Sequence, residues 1–229
     1  MSLVFRHRGA SFPVVPPGGI PDLVQLHEKA QTGSQVTEFQ INISGVTQGN
    51  LLVLLLACST ADITWEVDDG FVEDQYCTNW DVAMSILSLP NAGAGAHTIT
   101  VVPSALEFVR YAIMEFENIA ASSHVIDKAT GGGLTDIVNG GSVTTALSNT
   151  LVFGAVRTDG DETAHGNIYV SSGDGFALVY PFANSEPEQK LLCEYTVVGA
   201  GTYPSNDLFT MDSADGGGYT AGIVAYKAA

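Results

Sequence analysis

The most apolar stretch of the chain is NLLVLLLAC at residues 50–58, which begins after Gly49 and ends before Ser59. A short, continuous apolar run between turn residues is typical of a β-strand that is buried on both faces. The run is too short to cross a bilayer as a helix. A similar run, NTLVFGAV, occurs at residues 149–156, about a hundred residues later. The two runs predict two equivalent central strands.

Elsewhere from residue 36 onwards, apolar and polar residues alternate in short segments separated by turn residues. Examples are VTEFQINIS at 36–44, HTITVV at 97–102 and YTAGIVAYK at 219–227. A period of two predicts strands, and about a dozen such segments follow one another. Only 14% of residues are charged and 25 are glycine, a composition with too few charges to coat many amphipathic helices. The pattern therefore predicts an all-β protein.

The order of these segments in the first half is repeated in the second. A Gly-Ala-Gly turn occurs at 93–95 and again at 199–201, and each half ends on a long apolar segment, YAIMEFE at 111–117 and YTAGIVAYK. Only two copies are present, whereas a solenoid needs at least about three stacked repeats. We therefore predict a β-sandwich of jelly-roll type at residues 36–229, built from two duplicated halves that share one core.

Residues 1–35 differ from the rest and predict an extended amino-terminal arm, with a short helix at 22–30. Four of the nine prolines lie between residues 13 and 21, and proline cannot join a central strand. The arm carries Arg6, His7 and Arg8, whereas the whole chain has a net charge of −17. A protein with this much negative charge repels nucleic acid and anionic membranes. We expect no binding to either, and docking to a protein partner through Arg6, His7, Arg8 and Phe12.

The cysteines and the amino terminus indicate a protein made in a reducing compartment. Cys58, Cys77 and Cys193 match no zinc spacing, and Cys58 and Cys193 lie in apolar segments and are expected to be buried as small hydrophobic residues. The amino terminus has no uninterrupted apolar segment, because charged residues break it after Phe5. The sequence therefore predicts no secretory signal and no transmembrane helix.

The motifs GNLLVLLLA, GAGAHTITV, MEFENI, SSGDGFALVYPF and LLCEYTVVGAGTY, in this order, resemble β-sandwich domains of phage virion proteins and of secreted bacterial surface proteins. The resemblance covers residues 36–229. It implies a structural role without a cofactor, as a capsid decoration or cement protein, or as a tail or fibre component. The partners would be other virion proteins and further copies of the chain. The absence of a signal peptide favours the virion, with synthesis in the host cytoplasm.

A carbohydrate-binding, lectin-like module or surface adhesin is the alternative that the same fold allows. Tyr76 and Trp80 flank an acidic loop and could stack on a sugar, whereas Trp65 lies on an alternating segment and is expected in the core.

Metal binding and catalysis have weaker support. Asp159, Asp161 and Glu162 form a candidate calcium loop, but their spacing lacks the twelfth-position Glu of an EF-hand, so no metal is expected. The chain has no Gly-x-Ser-x-Gly or His-x-x-x-His motif. A pair of carboxylates drawn from Glu66, Asp68, Asp69 and Glu73 could resemble a glycosidase site, but any acidic loop offers such a pair by chance. We expect that the protein is not an enzyme.

Overall fold

The computed structural model describes residues 19–79, 82–133, 140–159, 170–172, 176–179, 189–204, 209–211 and 218–229, and these residues form strands without any helix. The strands of the first half are β1 (Asp22–Gln31), β2 (Phe39–Val46), β3 (Leu51–Cys58), β4 (Trp65–Val67), β5 (Val72–Asn79), β6 (Val82–Leu89), β7 (Gly95–Pro103) and β8 (Arg110–Glu117). Those of the second half are β9 (Val125–Gly133), β10 (Ser142–Thr145), β11 (Thr150–Asp159), β12 (Val170–Ser172), β13 (Ala177–Val179), β14 (Gln189–Val198), β15 (Gly201–Pro204), β16 (Phe209–Met211) and β17 (Gly218–Tyr226). The predicted all-β class is confirmed.

The strands of the first half form a jelly roll. A five-stranded sheet has the order β1-β8-β3-β6-β5, and a three-stranded sheet has the order β2-β7-β4. All pairs are antiparallel, and β1 pairs with β8, β2 with β7 and β3 with β6. Nested pairing of this kind is the topology of a jelly roll. We call residues 22–117 the first jelly roll.

The second half repeats this topology. Its five-stranded sheet has the order β13-β14-β11-β17-β9, and β10 pairs with β15 in a separate sheet. The nested pairs are β9 with β17, β10 with β15 and β11 with β14. Strand β11 therefore occupies the position of β3, which confirms the duplication predicted from the two apolar runs. We call residues 125–226 the second jelly roll.

The two jelly rolls stack through their five-stranded sheets, which gives four layers and three cores. Leu51, Val53 and Leu55 of β3 face Leu151 and Phe153 of β11 across a central core that both halves share. The intervening residues of β3 point the other way, into the core of the first jelly roll, and those of β11 point into the core of the second. Both central strands are therefore buried on both faces, as predicted. The shared core that was predicted is present, and each half has in addition a core of its own.

The predicted helix at residues 22–30 is wrong, because this segment is strand β1 and pairs with β8 from Asp22↔Glu117 to Gln31↔Arg110. The register shifts twice, between Leu23 and Gln25 and between Leu26 and Glu28. Each β-bulge adds one residue. Leu23 and Leu26 therefore both reach the central core although they are three residues apart, a spacing that imitates a helix. The sheet begins at residue 22 and not at 36.

The carboxylate of Glu115 is buried in the first jelly roll, near the end where β3 begins. Glu115 of β8 accepts hydrogen bonds from the side chains of Gln25 (2.7 Å) and Asn50 (2.7 Å) and from the backbone N–H of Thr47 (2.9 Å). His27 Nε2 lies 2.8 Å from Glu115 Oε2, the oxygen that also accepts from Gln25. Burial alone would raise the pKa of Glu115, but these hydrogen bonds outweigh burial and lower the pKa below its ordinary value.

Candidate functional site

A groove of about 420 Å³ lies at the end of the first jelly roll where β3 finishes. Its lining consists of two aromatic side chains, two carboxylates and one hydroxyl, those of Trp65, Tyr76, Asp62, Glu73 and Thr64. We call this set the aromatic groove. Its volume lies within the range of about 300–1,000 Å³ that is usual for small-ligand sites.

A bulge in β5 brings two of these side chains together. The register shifts between Glu73 and Gln75, so that Glu73 and Tyr76 point to the same side of the sheet although they are three positions apart in the sequence. The intervening Asp74 contacts the second jelly roll instead, where its carboxylate accepts a hydrogen bond from Tyr226 Oη at 2.7 Å. Glu73 Oε1 accepts a hydrogen bond of 2.7 Å from Ser85 Oγ, which fixes the carboxylate at the wall of the groove.

The aromatic rings are also fixed in place. Trp65 and Tyr76 pack against a small buried cluster of Cys58, Ile63 and Ala83 beneath the groove. The loop before β4 is held by two bonds to one residue, since Thr64 N donates to Ser104 Oγ and Ser104 N donates to Thr64 O. The groove is therefore largely formed before any ligand arrives.

Two carboxylates, those of Asp62 and Glu73, line the aromatic groove beside its two rings. Burial raises the pKa of Tyr76, and the carboxylates of Asp62 and Glu73 raise it further. The lining residues given above include no cation, but two cations from the second jelly roll lie close by: Arg157 Nη2 donates to Ser59 Oγ at 3.1 Å, and Lys128 Nζ donates to the carbonyl of Asp74, next to Glu73. The arrangement favours a ligand that is positively charged and that presents a surface to aromatic rings.

The candidate sugar-binding residues divide between the groove and the rest of the chain. Tyr76 lines the groove, whereas Trp80 lies outside the described residues. Trp65 was expected in the core, and it does pack against the core of the first jelly roll. It also lines the groove, which the alternation of DITWEV alone did not indicate.

The four carboxylates considered for a glycosidase pair lie in three different surroundings. Glu66 and Asp68 line a second, shallower groove, and Asp68 Oδ1 accepts a hydrogen bond of 2.6 Å from Thr100 N. Asp69 lies 2.6 Å from His97 Nδ1, and Glu73 belongs to the aromatic groove. Burial lowers the pKa of His97, but its contacts with the Gly93 carbonyl and Asp69 outweigh burial and raise the pKa.

A buried cluster with the composition of a catalytic triad joins the two jelly rolls. His124 Nε2 lies 2.8 Å from Ser88 Oγ, and the His124 ring stacks on Tyr226 with 5.9 Å between centroids. In a triad, the carboxylate contacts the imidazole nitrogen opposite the serine. Here Asp74 lies 3.9 Å from the same Nε2, and Ser88 is fully buried. The cluster therefore fastens one sheet to the other, and burial lowers the pKa of His124.

Cys58 and Cys193 are buried, as predicted, and Cys77 is buried as well. Burial raises the pKa of Cys58 to about 11 and that of Cys77 to about 12, so neither thiol is ionised near neutral pH.

Of the candidate calcium ligands, only the backbone of Asp159 is described, at the end of β11, and Asp161 and Glu162 lie outside the described residues. Within the described ranges, no group of three His, Cys, Asp or Glu residues is arranged to hold a metal ion. Arg6, His7, Arg8 and Phe12, predicted to dock a partner, also lie outside them. No helix in the described part of the chain could span a membrane.

Comparison of the chain with protein-family models, with curated proteins and with solved structures found no match. The function is therefore inferred from the geometry and charge of the molecule.

Proposed function

We propose that the chain is a structural protein of a virus particle. It serves as a capsid decoration or cement protein, or as a tail or fibre component, and it works without a cofactor. It is made in the host cytoplasm and contacts other virion proteins and further copies of itself.

The observation that supports this role is the central core between the jelly rolls. Ligand sites often lie at the junction of two domains, where a cleft remains open. Here the junction is filled by apolar side chains from both five-stranded sheets, among them Phe116, Phe153 and Met114, each fully buried. The ring of Phe116 packs edge to face against Phe153 and Tyr195. A filled junction makes a stiff block, which suits a building unit.

The charge distribution supports the same role. With a net charge of −17, the protein resists non-specific association and stays soluble at high concentration. The basic residues Arg6 and Arg8 precede the sheet and can dock a partner while the acidic faces remain in water.

Mass spectrometry of particles purified on a density gradient from producing cells tests this proposal. We expect the chain to sediment with the major particle proteins in a fixed ratio. Arg6→Gln with Arg8→Gln should reduce its incorporation while the melting temperature stays unchanged, whereas Lys227→Gln, which removes an exposed cation elsewhere, should have no effect. Absence of the chain from every particle fraction would overturn the proposal.

A further inference from the structure

We propose that the aromatic groove of one copy binds the basic amino-terminal segment of a second copy. We define this segment as residues 1–18, MSLVFRHRGASFPVVPPG. The inference rests on the structural role proposed above and names one contact through which copies associate.

The chemistry of the segment matches that of the groove. The segment contains Arg6, His7 and Arg8 and no acidic residue. A guanidinium is attracted both to the face of an aromatic ring and to a carboxylate. The groove offers the rings of Trp65 and Tyr76 beside two carboxylates. The lining therefore contains both kinds of group that attract a guanidinium, an aromatic ring and a carboxylate.

The spacing of the two arginines fits one extended strand of peptide. In extended backbone, residues two apart point to the same side and lie about 7 Å apart. Arg6 and Arg8 can therefore face the groove together while His7 points away.

The segment leaves the sheet at one end of β3, and the groove lies at the other end. The described chain starts at Gly19, and Asn118 Nδ2 donates to the Ile20 carbonyl at 3.0 Å. This is the end of the sheet where Leu51 pairs with Phe116. The groove lies at the opposite end of β3, beside Cys58. At about 3.3 Å per residue, the eight residues of β3 separate the two places by about 25 Å, whereas the eleven residues from Arg8 to Gly19 can span about 36 Å. Distance alone therefore does not decide which copy supplies the segment, and the second copy is chosen because contact between copies belongs to the structural role proposed above.

When a second copy supplies the segment, the contact runs head to tail between successive copies. Such a contact closes into a ring or continues as a filament, depending on the rotation between neighbours. The segment of each copy then occupies the groove of the next, and the negative charge around Asp62 and Glu73 is partly neutralised.

Sedimentation velocity of the full chain over a range of concentrations tests the contact. We expect self-association that weakens as salt is raised, because salt screens exposed charges. Arg6→Gln with Arg8→Gln, and separately Asp62→Asn with Glu73→Gln, should each weaken association about tenfold or more, the factor that corresponds to 1.4 kcal/mol. Asn tolerates the left-handed backbone at residue 62, where φ is 61°.

The matched control is Glu66→Gln with Asp68→Asn. It removes the same charge from the neighbouring shallow groove and leaves an oxygen that can accept from Thr100 N. Association should stay close to that of the unaltered chain. A loss equal to that of the groove variant would mean that overall charge governs association, and would overturn the inference.

Photo-cross-linking identifies which chain supplies the segment. Benzoylphenylalanine replaces Phe12, and copies labelled with ¹⁴N and ¹⁵N are mixed before irradiation. Cross-links from position 12 to the groove should join the two isotopes. Links within one isotope only, or no links to the groove, would overturn the inference. So would glycan binding that the groove variant abolishes while association persists, since the groove would then be a sugar site.

The two proposals fail separately. A chain that is found in particles but does not self-associate through the groove retains the structural role and loses this contact. A chain that self-associates through the groove but is absent from every particle loses the virion role.

Discussion

Replacing Gly222 by alanine tests whether the five-stranded sheets approach each other as closely as described. Gly222 lies in β17 and faces β5 of the first jelly roll. A Cβ atom at this position would lie 2.6 Å from Cys77 Sγ, 3.3 Å from Gln75 Cγ and 3.4 Å from Ile86 Cδ1. The first of these distances is too short, so either the thiol or the sheet must shift.

The expected magnitude follows from two opposing terms. Alanine in a strand would be more stable than glycine by roughly 0.5–1 kcal/mol if there were space for the methyl group. Overpacking of a filled core costs about 1–3 kcal/mol. Since the thiol is held within the central core, the second term dominates, and Gly222→Ala should lower the free energy of unfolding by about 0.5–2 kcal/mol.

Urea unfolding of a double-mutant cycle with Cys77→Ala measures this effect. Removing the sulfur makes space for the methyl group, so Gly222→Ala should become neutral or slightly stabilising in that background. Gly199→Ala is the matched control, because a Cβ atom there has nothing within 4 Å. An effect of Gly222→Ala that agrees in both backgrounds to within about 0.3–0.5 kcal/mol would refute the reasoning, since independent sites are additive to that extent.

Three further predictions concern pH and cooperativity. Because burial lowers the pKa of His124, its contribution to the free energy of unfolding should be fully present above the ordinary pKa of 6.5 and should be lost as the pH falls below it. His124→Gln should flatten this pH dependence, measured by urea unfolding between pH 7.5 and 5.5. Because hydrogen bonds outweigh burial and lower the pKa of Glu115, its contribution to the free energy of unfolding should be present above pH 4.5 and should be lost as the pH falls through the lowered pKa. Glu115→Gln should lower the free energy of unfolding at neutral pH by about 1–3 kcal/mol, measured by urea unfolding. Because β3 and β11 share the central core, hydrogen exchange followed by mass spectrometry should show them opening together, and much earlier exchange in either strand would contradict this.

The central strands and the duplication were predictable from the sequence because both depend on local pattern. In β3, the residues on both faces of the strand are apolar, and this pattern is typical of a strand that is buried on both faces. The run at 149–156 has the same apolar pattern, and strand β11, which contains it, lies at the centre of its five-stranded sheet as β3 does in the first jelly roll. The turn entering each strand is also equivalent, since Gly49 and Asn149 both have positive φ, at 92° and 57°.

The parts that could not be predicted depend on β-bulges and on partners far away in sequence. A bulge changes which side chains share a face, and nothing in the residues of β1 or β5 marks where the register shifts. Leu23 and Leu26 therefore looked helical, and Glu73 could not be placed beside Tyr76. The continuous apolar sequence of β3 also does not say which face meets the second jelly roll, because apolar residues suit either partner.

The stacking of the jelly rolls has a consequence for how such a chain can arise. Both halves use the same face of the equivalent five-stranded sheet, so the junction is of the kind that a single jelly roll would make with its own copy in a two-fold dimer. The short link at residues 118–124 joins the two faces within one chain, as a covalent tether would join the subunits of such a dimer. The two faces are not identical, because Gly222 meets Cys77 on one side while Phe116 and Phe153 fill the junction elsewhere. Either half alone would expose this apolar face, and neither is expected to persist as a soluble monomer.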